Sequence, residues 1–213
     1  MTILLLNPNT NAETTAKMVA IAGRAGTGLV FDGRTAPFGV PMIVEPVALA
    51  EGARAVAAMC MDAGAHEGVI VAAFGDPGIE AARARLAVPV VGIGEASILE
   101  AAEGGRRFAI ATTTPGLVDA IAGRVAGYGK AAQFAGTFLT EGDPDAIVKD
   151  PAHLAEALGD AAERAIAEGG AEAVIIGGGP LAEAAAAIAA RLGTAIIEPL
   201  PAAARLMRAR LGA

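Results

Sequence analysis

The chain repeats its own pattern after about half its length. Residues 69–74 (VIVAAF) return as residues 174–179 (VIIGGG), and the two runs start 105 residues apart. The same separation carries residues 3–10 onto residues 108–115. Each copy is an apolar run that leads into a turn and then into a segment of helical composition. The repeat predicts two similar halves.

The segments within each half predict an α/β fold. Short Val, Ile and Leu runs alternate with Ala-rich segments, which is typical of parallel strands joined by crossover helices. We expect strands at residues 2–6, 29–35, 68–73, 88–92, 107–111, 132–138, 173–176 and 194–197. We expect helices at residues 12–22, 46–63, 78–86, 96–103, 115–126, 151–168, 181–192 and 201–211. The predicted architecture has two pseudo-symmetric lobes, residues 1–100 and 101–213, each with a four-stranded, mostly parallel sheet flanked by helices.

Several boundaries are marked by single residues. Side-chain oxygens that can cap a helix N-terminus precede four of the predicted helices: Thr10 or Asn11, Asp76, Thr114 and Asp150. Residues 140–144 (TEGDP) have the composition of a linker loop. The C-terminal helix can cross over to the first lobe.

Composition argues against several classes of function. The chain has a net charge of −7 and its Lys and Arg residues are scattered, so we expect no nucleic-acid partner. No apolar run reaches bilayer length, and the first residues lack a basic leader and a cleavage site. We therefore expect a cytoplasmic protein without membrane spans. Because 54% of the residues are hydrophobic, we also expect a homo-oligomer.

The single cysteine and the two histidines give little support for a thiol nucleophile or a metal site. Cys60 lies in an Ala-rich helical stretch without neighbours that would lower its pKa. We expect it to be a small buried side chain. His66 and His153 stand apart from any Cys or carboxylate cluster at ligand spacing, so no metal is predicted.

The turns that follow the strands carry the candidate binding residues. Two lobes that face each other would place equivalent turns on opposite walls of one cleft, where parallel sheets bind ligands. Asn9, Thr112 and Thr113 either bond a small polar ligand or cap helices. Residues 177–179 (GGG) either offer amides to an anion or only form a tight turn. The substrate-binding residues that we predict are Asn9, Ala73, Phe74, Thr112, Thr113, Gly178 and Gly179.

Five segments, in this order, resemble the hydantoin racemase branch of the aspartate/glutamate racemase superfamily. They are residues 6–10 (LNPNT), 72–78 (AAFGDPG), 89–96 (PVVGIGEA), 107–110 (RFAI) and 176–181 (IGGGPL). The resemblance covers nearly the whole chain. It implies a two-lobed α/β enzyme that moves a proton at a carbon next to a carbonyl, without cofactor or metal.

The resemblance also implies two catalytic cysteines, one in each lobe, because inversion needs a base and an acid on opposite faces of a planar enolate. The positions that match them are Ala73 and Gly178. Neither residue can carry a proton. The candidate substitutes are carboxylates that follow strands or precede helices: Asp76, Glu45, Glu95 and Glu198.

Three hypotheses follow for the function. The first is a cofactor-independent racemase or isomerase of hydantoins or amino-acid-derived molecules, with carboxylates or water in place of the thiols. The second is a related lyase or decarboxylase that acts on a small carboxylate. The third is a non-catalytic binder of a small anion that has lost the acid–base pair.

Overall fold

A computed structural model describes residues 1–178 and 184–212. The chain divides into two compact units, one formed by Met1–Ala96 with Leu200–Ala213 and the other by Ser97–Pro199. Each unit contains a four-stranded sheet in which all strand pairs are parallel. The predicted fold class, two four-stranded parallel sheets flanked by helices, is confirmed.

The two sheets have the same strand order. The first sheet is ordered β2-β1-β3-β4 and the second β6-β5-β7-β8. The strands are β1 Thr2–Asn7, β2 Val30–Thr35, β3 Gly68–Val71, β4 Val90–Gly92, β5 Phe108–Thr112, β6 Phe134–Leu139, β7 Ala173–Ile176 and β8 Ala195–Ile197. All eight predicted strands are present.

The strands alternate with helices, as predicted. The helices of the described residues are α1 Ala12–Gly23, α2 Pro46–Met59, α3 Ile79–Arg85, α4 Ile93–Ala101, α5 Val118–Gly127, α6 Pro144–Ile147, α7 Pro151–Ala167, α8 Ala185–Leu192 and α9 Pro199–Arg210. Short 3-10 turns occur at Cys60–Asp62, Glu103–Gly105, Pro115–Leu117 and Ala131–Gln133. The first turn predicted for the helix at 181–192 lies outside the described residues. Helix α6 begins where a linker loop was predicted.

The duplication is visible in the strand register. Ile3 pairs with Gly68 between β1 and β3, and Phe108 pairs with Ala173 between β5 and β7, so both partners move by 105 residues. The edge strands β2 and β6 start only 104 residues apart. A register shift between β5 and β6 accompanies Gly136, whose φ of 131° suits glycine alone.

The central strands are buried along nearly their whole length. Leu4, Leu5 and Leu6 of β1 and residues 108–112 of β5 have no exposed surface. Helices cover both faces of a parallel sheet, so its inner strands are continuously apolar and do not alternate with polar residues. In the second unit, the small side chains of Ala161, Ala162 and Ala165 let α7 pack closely on β5.

Helix α9 packs within the first unit, although it is the last element of the chain. The buried side chain of Met207 lies against Gly68 at the start of β3, where a Cβ atom would collide with the Met207 sulfur. Near the end of α9, the Arg210 guanidinium donates to the Val90 carbonyl oxygen at 2.8 Å. Strands β3 and β4 therefore depend on α9 for part of their cover.

Of the four predicted helix caps, two are confirmed and two are wrong. The Asn11 side chain accepts from the Thr14 amide, and Asp150 accepts from the amides of Ala152 and His153. The predicted cap of α3 by Asp76 is wrong, because Gly78 occupies that N-cap position. Asp76 instead accepts hydrogen bonds from the first turn of α4. The Thr114 side chain makes no capping hydrogen bond at the start of the 3-10 turn Pro115–Leu117.

No helix of the described residues is long and apolar enough to cross a membrane.

We expect Leu5→Ala to lower the free energy of unfolding by about 2–5 kcal/mol, because the cavity would open inside a fully buried strand. Val30→Ala is the matched control, since Val30 is 61% exposed on the edge strand and its truncation should cost about 0.5 kcal/mol or less. Urea titrations followed by circular dichroism compare the two variants. Equal losses would contradict the described core.

Candidate functional site

The predicted site residues follow the central strands in each unit. In the first unit, Asn9 follows β1, and Ala73 and Phe74 follow β3. In the second unit, Thr112 and Thr113 lie at the end of β5, and Gly178 follows β7, whereas Gly179 lies outside the described residues. Carboxyl ends of parallel strands are where such sheets bind ligands.

A network of side-chain amides shapes the loop after β1. The fully buried Asn7 donates from Nδ2 to the Asn9 Oδ1 atom at 2.9 Å, to the Asn11 carbonyl oxygen at 3.1 Å and to the Thr15 Oγ1 atom at 2.9 Å. Its Oδ1 atom accepts from the Asn9 amide at 3.1 Å. Sequence reasoning missed Asn7, although the N-P-N motif contains it.

The half-buried Asn9 keeps one polar group for a ligand. Its Oδ1 atom accepts from Asn7 Nδ2 and from the Asn11 amide at 3.0 Å, which fixes the orientation of the side chain. Its Nδ2 atom makes no hydrogen bond to the residues that the structure describes. That nitrogen can therefore donate to a carbonyl or carboxylate oxygen.

The turn after β3 presents small and apolar side chains. The Asp76 amide donates to the Ala73 carbonyl oxygen at 3.0 Å and closes the turn. Gly75 has a φ of 126°, and a Cβ at this position would lie 3.1 Å from a Leu49 methyl group. Ala73 is partly exposed and Phe74 is buried. This turn can shape a ligand pocket, but Ala73 brings no titratable group to it.

The carboxylate of Asp76 is fully buried and bound to the backbone. Its Oδ1 atom accepts from the Gly94 amide at 2.8 Å, and its Oδ2 atom accepts from the Glu95 amide at 2.7 Å. Both amides belong to the first turn of α4, where the positive end of the helix dipole favours an anion. Asp76 therefore caps α4.

The carboxylate of Glu95 is held by two arginines. Its Oε2 atom lies 2.6 Å from a guanidinium nitrogen of Arg83, and its Oε1 atom lies 2.6 Å from one of Arg210. The Glu95 side chain is 6% exposed. Two charge-assisted hydrogen bonds hold the carboxylate in a fixed position, which suits a structural ion pair better than a proton shuttle.

The other two candidate carboxylates lie at element boundaries. Glu45 is exposed at the N-cap of α2, and its side chain makes no capping hydrogen bond. Glu198 directly follows β8 and is half-buried. Burial and backbone capping do not hold Glu45 in the way that they hold Asp76.

In the second unit, a threonine locks the end of β7. The buried Thr112 hydroxyl donates to the Gly177 carbonyl oxygen at 2.9 Å and lies 3.1 Å from the Thr114 hydroxyl. The Gly177 amide donates to Ala111, and the Gly178 amide donates to Ile176 at 2.9 Å. Of the glycine amides expected to bind an anion, these two are therefore already used, and the binding role of Gly178 stays a prediction.

Cys60 and the histidines lie outside these turns. Cys60 packs in the core of the first unit, and burial raises the pKa of its thiol above the ordinary value. His66 contacts the Ala63 carbonyl oxygen and lies 3.1 Å from an Asp32 carboxylate oxygen, while His153 lies in the first turn of α7. Among the described residues, no three His, Cys, Asp or Glu side chains form a group that could hold a metal ion.

Comparison with known families identifies the lineage. The family model described as Asp/Glu/hydantoin racemase matches residues 3–207. The chain belongs to the Asp/Glu/hydantoin racemase family. This family match spans both units and all eight strands except the first residue of β1.

Individual members of the racemase family match along the whole chain. A hydantoin racemase of Rhizobium meliloti is 30% identical over 100% of this chain and 90% of its own length. The structure of allantoin racemase from Klebsiella pneumoniae superposes with a TM-score of 0.93 at 26% identity, over 100% of this chain and 88% of that one. Allantoin racemase from Pseudomonas fluorescens gives 0.91 at 29% identity, over 100% and 92%.

Thr112→Val should lower the free energy of unfolding by about 1–3 kcal/mol, because the Gly177 carbonyl oxygen loses its hydroxyl donor in a buried site. Thr137→Val is the matched control, since the buried Thr137 hydroxyl has no hydrogen-bond partner among the described residues. The control should leave stability unchanged or raise it. Chemical denaturation measures both, and the reverse order would contradict the proposed lock.

Cys60 should resist iodoacetamide at pH 8 in the folded protein and react at once in urea, because burial raises the pKa of the thiol and keeps it protonated. The unfolded thiol ionises near its ordinary pKa of 9.0, before the folded one does. The wild type should therefore lose stability relative to Cys60→Ala as the pH rises above about 9. Rapid alkylation of the native protein would be inconsistent with the buried position.

Proposed function

We propose that the protein is a racemase that inverts the carbon between the carbonyl and the ring nitrogen of a 5-substituted hydantoin or a related cyclic ureide. The observation that carries the proposal is the match along the whole chain to allantoin racemases, with TM-scores of 0.93 and 0.91 at 26% and 29% identity. The hydantoin racemase at 30% identity supports the same substrate class, since allantoin contains a hydantoin ring.

The chemistry of such a ring suits a site without cofactor. The C5 proton is acidified by the neighbouring carbonyl, whose oxygen takes up the negative charge when the proton leaves. A hydrogen-bond donor near that oxygen lowers the barrier. The Asn9 Nδ2 atom, held in place through Asn7 and Asn11, is the donor that we assign to a substrate oxygen.

The proton carriers are the unusual part of this proposal. The resemblance puts the two family thiols at Ala73 and Gly178, which follow the equivalent strands β3 and β7. Neither side chain carries a proton. Asp76 and Glu95 are committed to α4 and to two arginines. We propose that water beside residues 73 and 178 carries the proton. Of the four candidate carboxylates, Glu45 and Glu198 are the two that the contacts with α4 and with the two arginines do not involve.

Deuterium exchange tests the proposal. Enantiopure 5-substituted hydantoins and allantoin are incubated in deuterated water, with optical rotation and mass spectrometry as readouts. We expect exchange with inversion above the rate of a protein-free control. Because general acid–base groups contribute about 10²–10⁴-fold, Ala73→Cys combined with Gly178→Cys should raise the rate by up to that factor.

The single variants are the matched controls for the pair. Ala73→Cys or Gly178→Cys alone supplies one thiol, so neither should give the full gain in inversion. No exchange above the protein-free control with the wild type would contradict the proposed racemase.

A second candidate function is a non-catalytic binder of the same small molecules, and the absence of a titratable group at both Ala73 and Gly178 favours it. A ligand-induced rise in Tm without exchange, followed by a gain of exchange in the double variant, would support the binder. The relatives described above are all racemases, so the lyase alternative is not favoured. The homo-oligomer and the cytoplasmic location stay predictions.

A further inference from the structure

Asp76 has an unusual backbone conformation for its residue type. Its φ of 47° is positive, and among the described residues no other residue apart from glycine has a positive φ. Such a conformation is strained for a residue with a side chain and persists only where its surroundings impose it. Gly75 and Gly78 beside it also have positive φ values, of 126° and 75°.

The surroundings of the Asp76 carboxylate are built to receive it. A Cβ atom at Gly92 would overlap the carboxyl carbon of Asp76, and one at Gly94 would lie 2.8 Å from its Oδ2 atom. The amides of Gly94 and Glu95 donate to the two carboxylate oxygens. The absence of side chains at positions 92 and 94 and the strain at position 76 therefore serve the same contact.

This contact reaches the candidate site through one further hydrogen bond. The Asp76 amide donates to the Ala73 carbonyl oxygen at 3.0 Å, and the Ala72 amide donates to the Leu6 carbonyl oxygen at 2.8 Å. Residue 73 is thus held on one side by strand β1 and on the other by the turn that Asp76 closes.

Side chains from two other helices, α3 and α9, hold the first turn of α4 in place. Glu95, whose amide bonds Asp76, places its carboxylate between Arg83 of α3 and Arg210 of α9. Both arginines also donate to the Val90 carbonyl oxygen in β4. The first turn of α4, which binds the Asp76 carboxylate, is therefore itself held in a fixed position.

We infer that Asp76 is a positioning residue: its carboxylate clamps the turn of residues 73–76 to α4 and so sets the place of residue 73 at the candidate site. The functional meaning of that place rests on the proposed function. The clamp itself does not, because every contact that defines it lies within the first unit.

The test places a fluorine label on residue 73. In a Cys60→Ala background, Ala73→Cys is labelled with bromotrifluoroacetone and followed by ¹⁹F NMR. Asp76→Gly is then added, since glycine accepts the φ of 47° without strain and removes the carboxylate of the clamp. We expect one sharp resonance with Asp76 and a broadened or split resonance with Asp76→Gly.

A label at Val30→Cys, on the exposed edge of the same sheet, is the control and should be unaffected by Asp76→Gly. Asp76→Asn keeps one side-chain oxygen as an acceptor, so it should restore the sharp signal in part. If Asp76→Gly does not fold, the Asp76→Asn variant provides the test of the clamp. An unchanged resonance at residue 73 in a folded Asp76 variant would overturn the inference.

A kinetic readout separates this inference from the proposed function. If the wild type exchanges its substrate, Asp76→Gly should lower kcat by up to about 10²-fold with little change in KM, because shifting the turn beside the proposed proton-carrying water by about 1 Å costs that much. An equal rise in KM would instead indicate a general loss of the site. If the wild type shows no exchange, the proposed function fails, and the fluorine label still decides the clamp.

Discussion

The parallel pairing of β1 with β3, and of β5 with β7, is the constraint on which the rest of the structure depends. These central strands are buried, so their apolar side chains stabilise the core and provide no catalytic groups. Parallel strands also end at the same edge of a sheet, and polar residues can enter only there. Asn7 and Thr112 occupy that place in the two units, 105 residues apart, and both are fully buried and hydrogen-bonded.

The two halves keep this framework while their turns have diverged. The Ala72 amide donates to Leu6 at 2.8 Å, and the equivalent Gly177 amide donates to Ala111 at the same distance. The other contacts that hold these turns differ between the units. The first unit fixes its turn with the Asp76 carboxylate, and the second fixes Gly177 with the Thr112 hydroxyl. A carboxylate that accepts from two helix amides is a stronger anchor than a single hydroxyl bond.

Sequence reasoning predicted the strands and most helices because a buried parallel strand has to be a continuous apolar run. It failed where the decisive contact joins residues far apart. Asp76 before Pro77 resembles a local cap, yet its partners are Gly94 and Glu95 in α4, after α3 and β4. Asn7 was missed for a similar reason, since its partner Thr15 lies on the following helix. Helix α6 has only four residues, too few for a periodic pattern.

The long-range contacts also explain why two carboxylates that the sequence offered as candidate catalysts have structural roles. Asp76 and Glu95 stand at strand ends, where catalytic acids occur, but the same position lets them meet helix amides and guanidinium groups. A carboxylate in two strong hydrogen bonds gives up proton-transfer freedom in exchange for a fixed position. In the first unit, therefore, the buried acids Asp76 and Glu95 hold the framework in place. Under the proposed function, proton transfer at that turn needs a group that is not part of this framework, and water is the group to which we assign it.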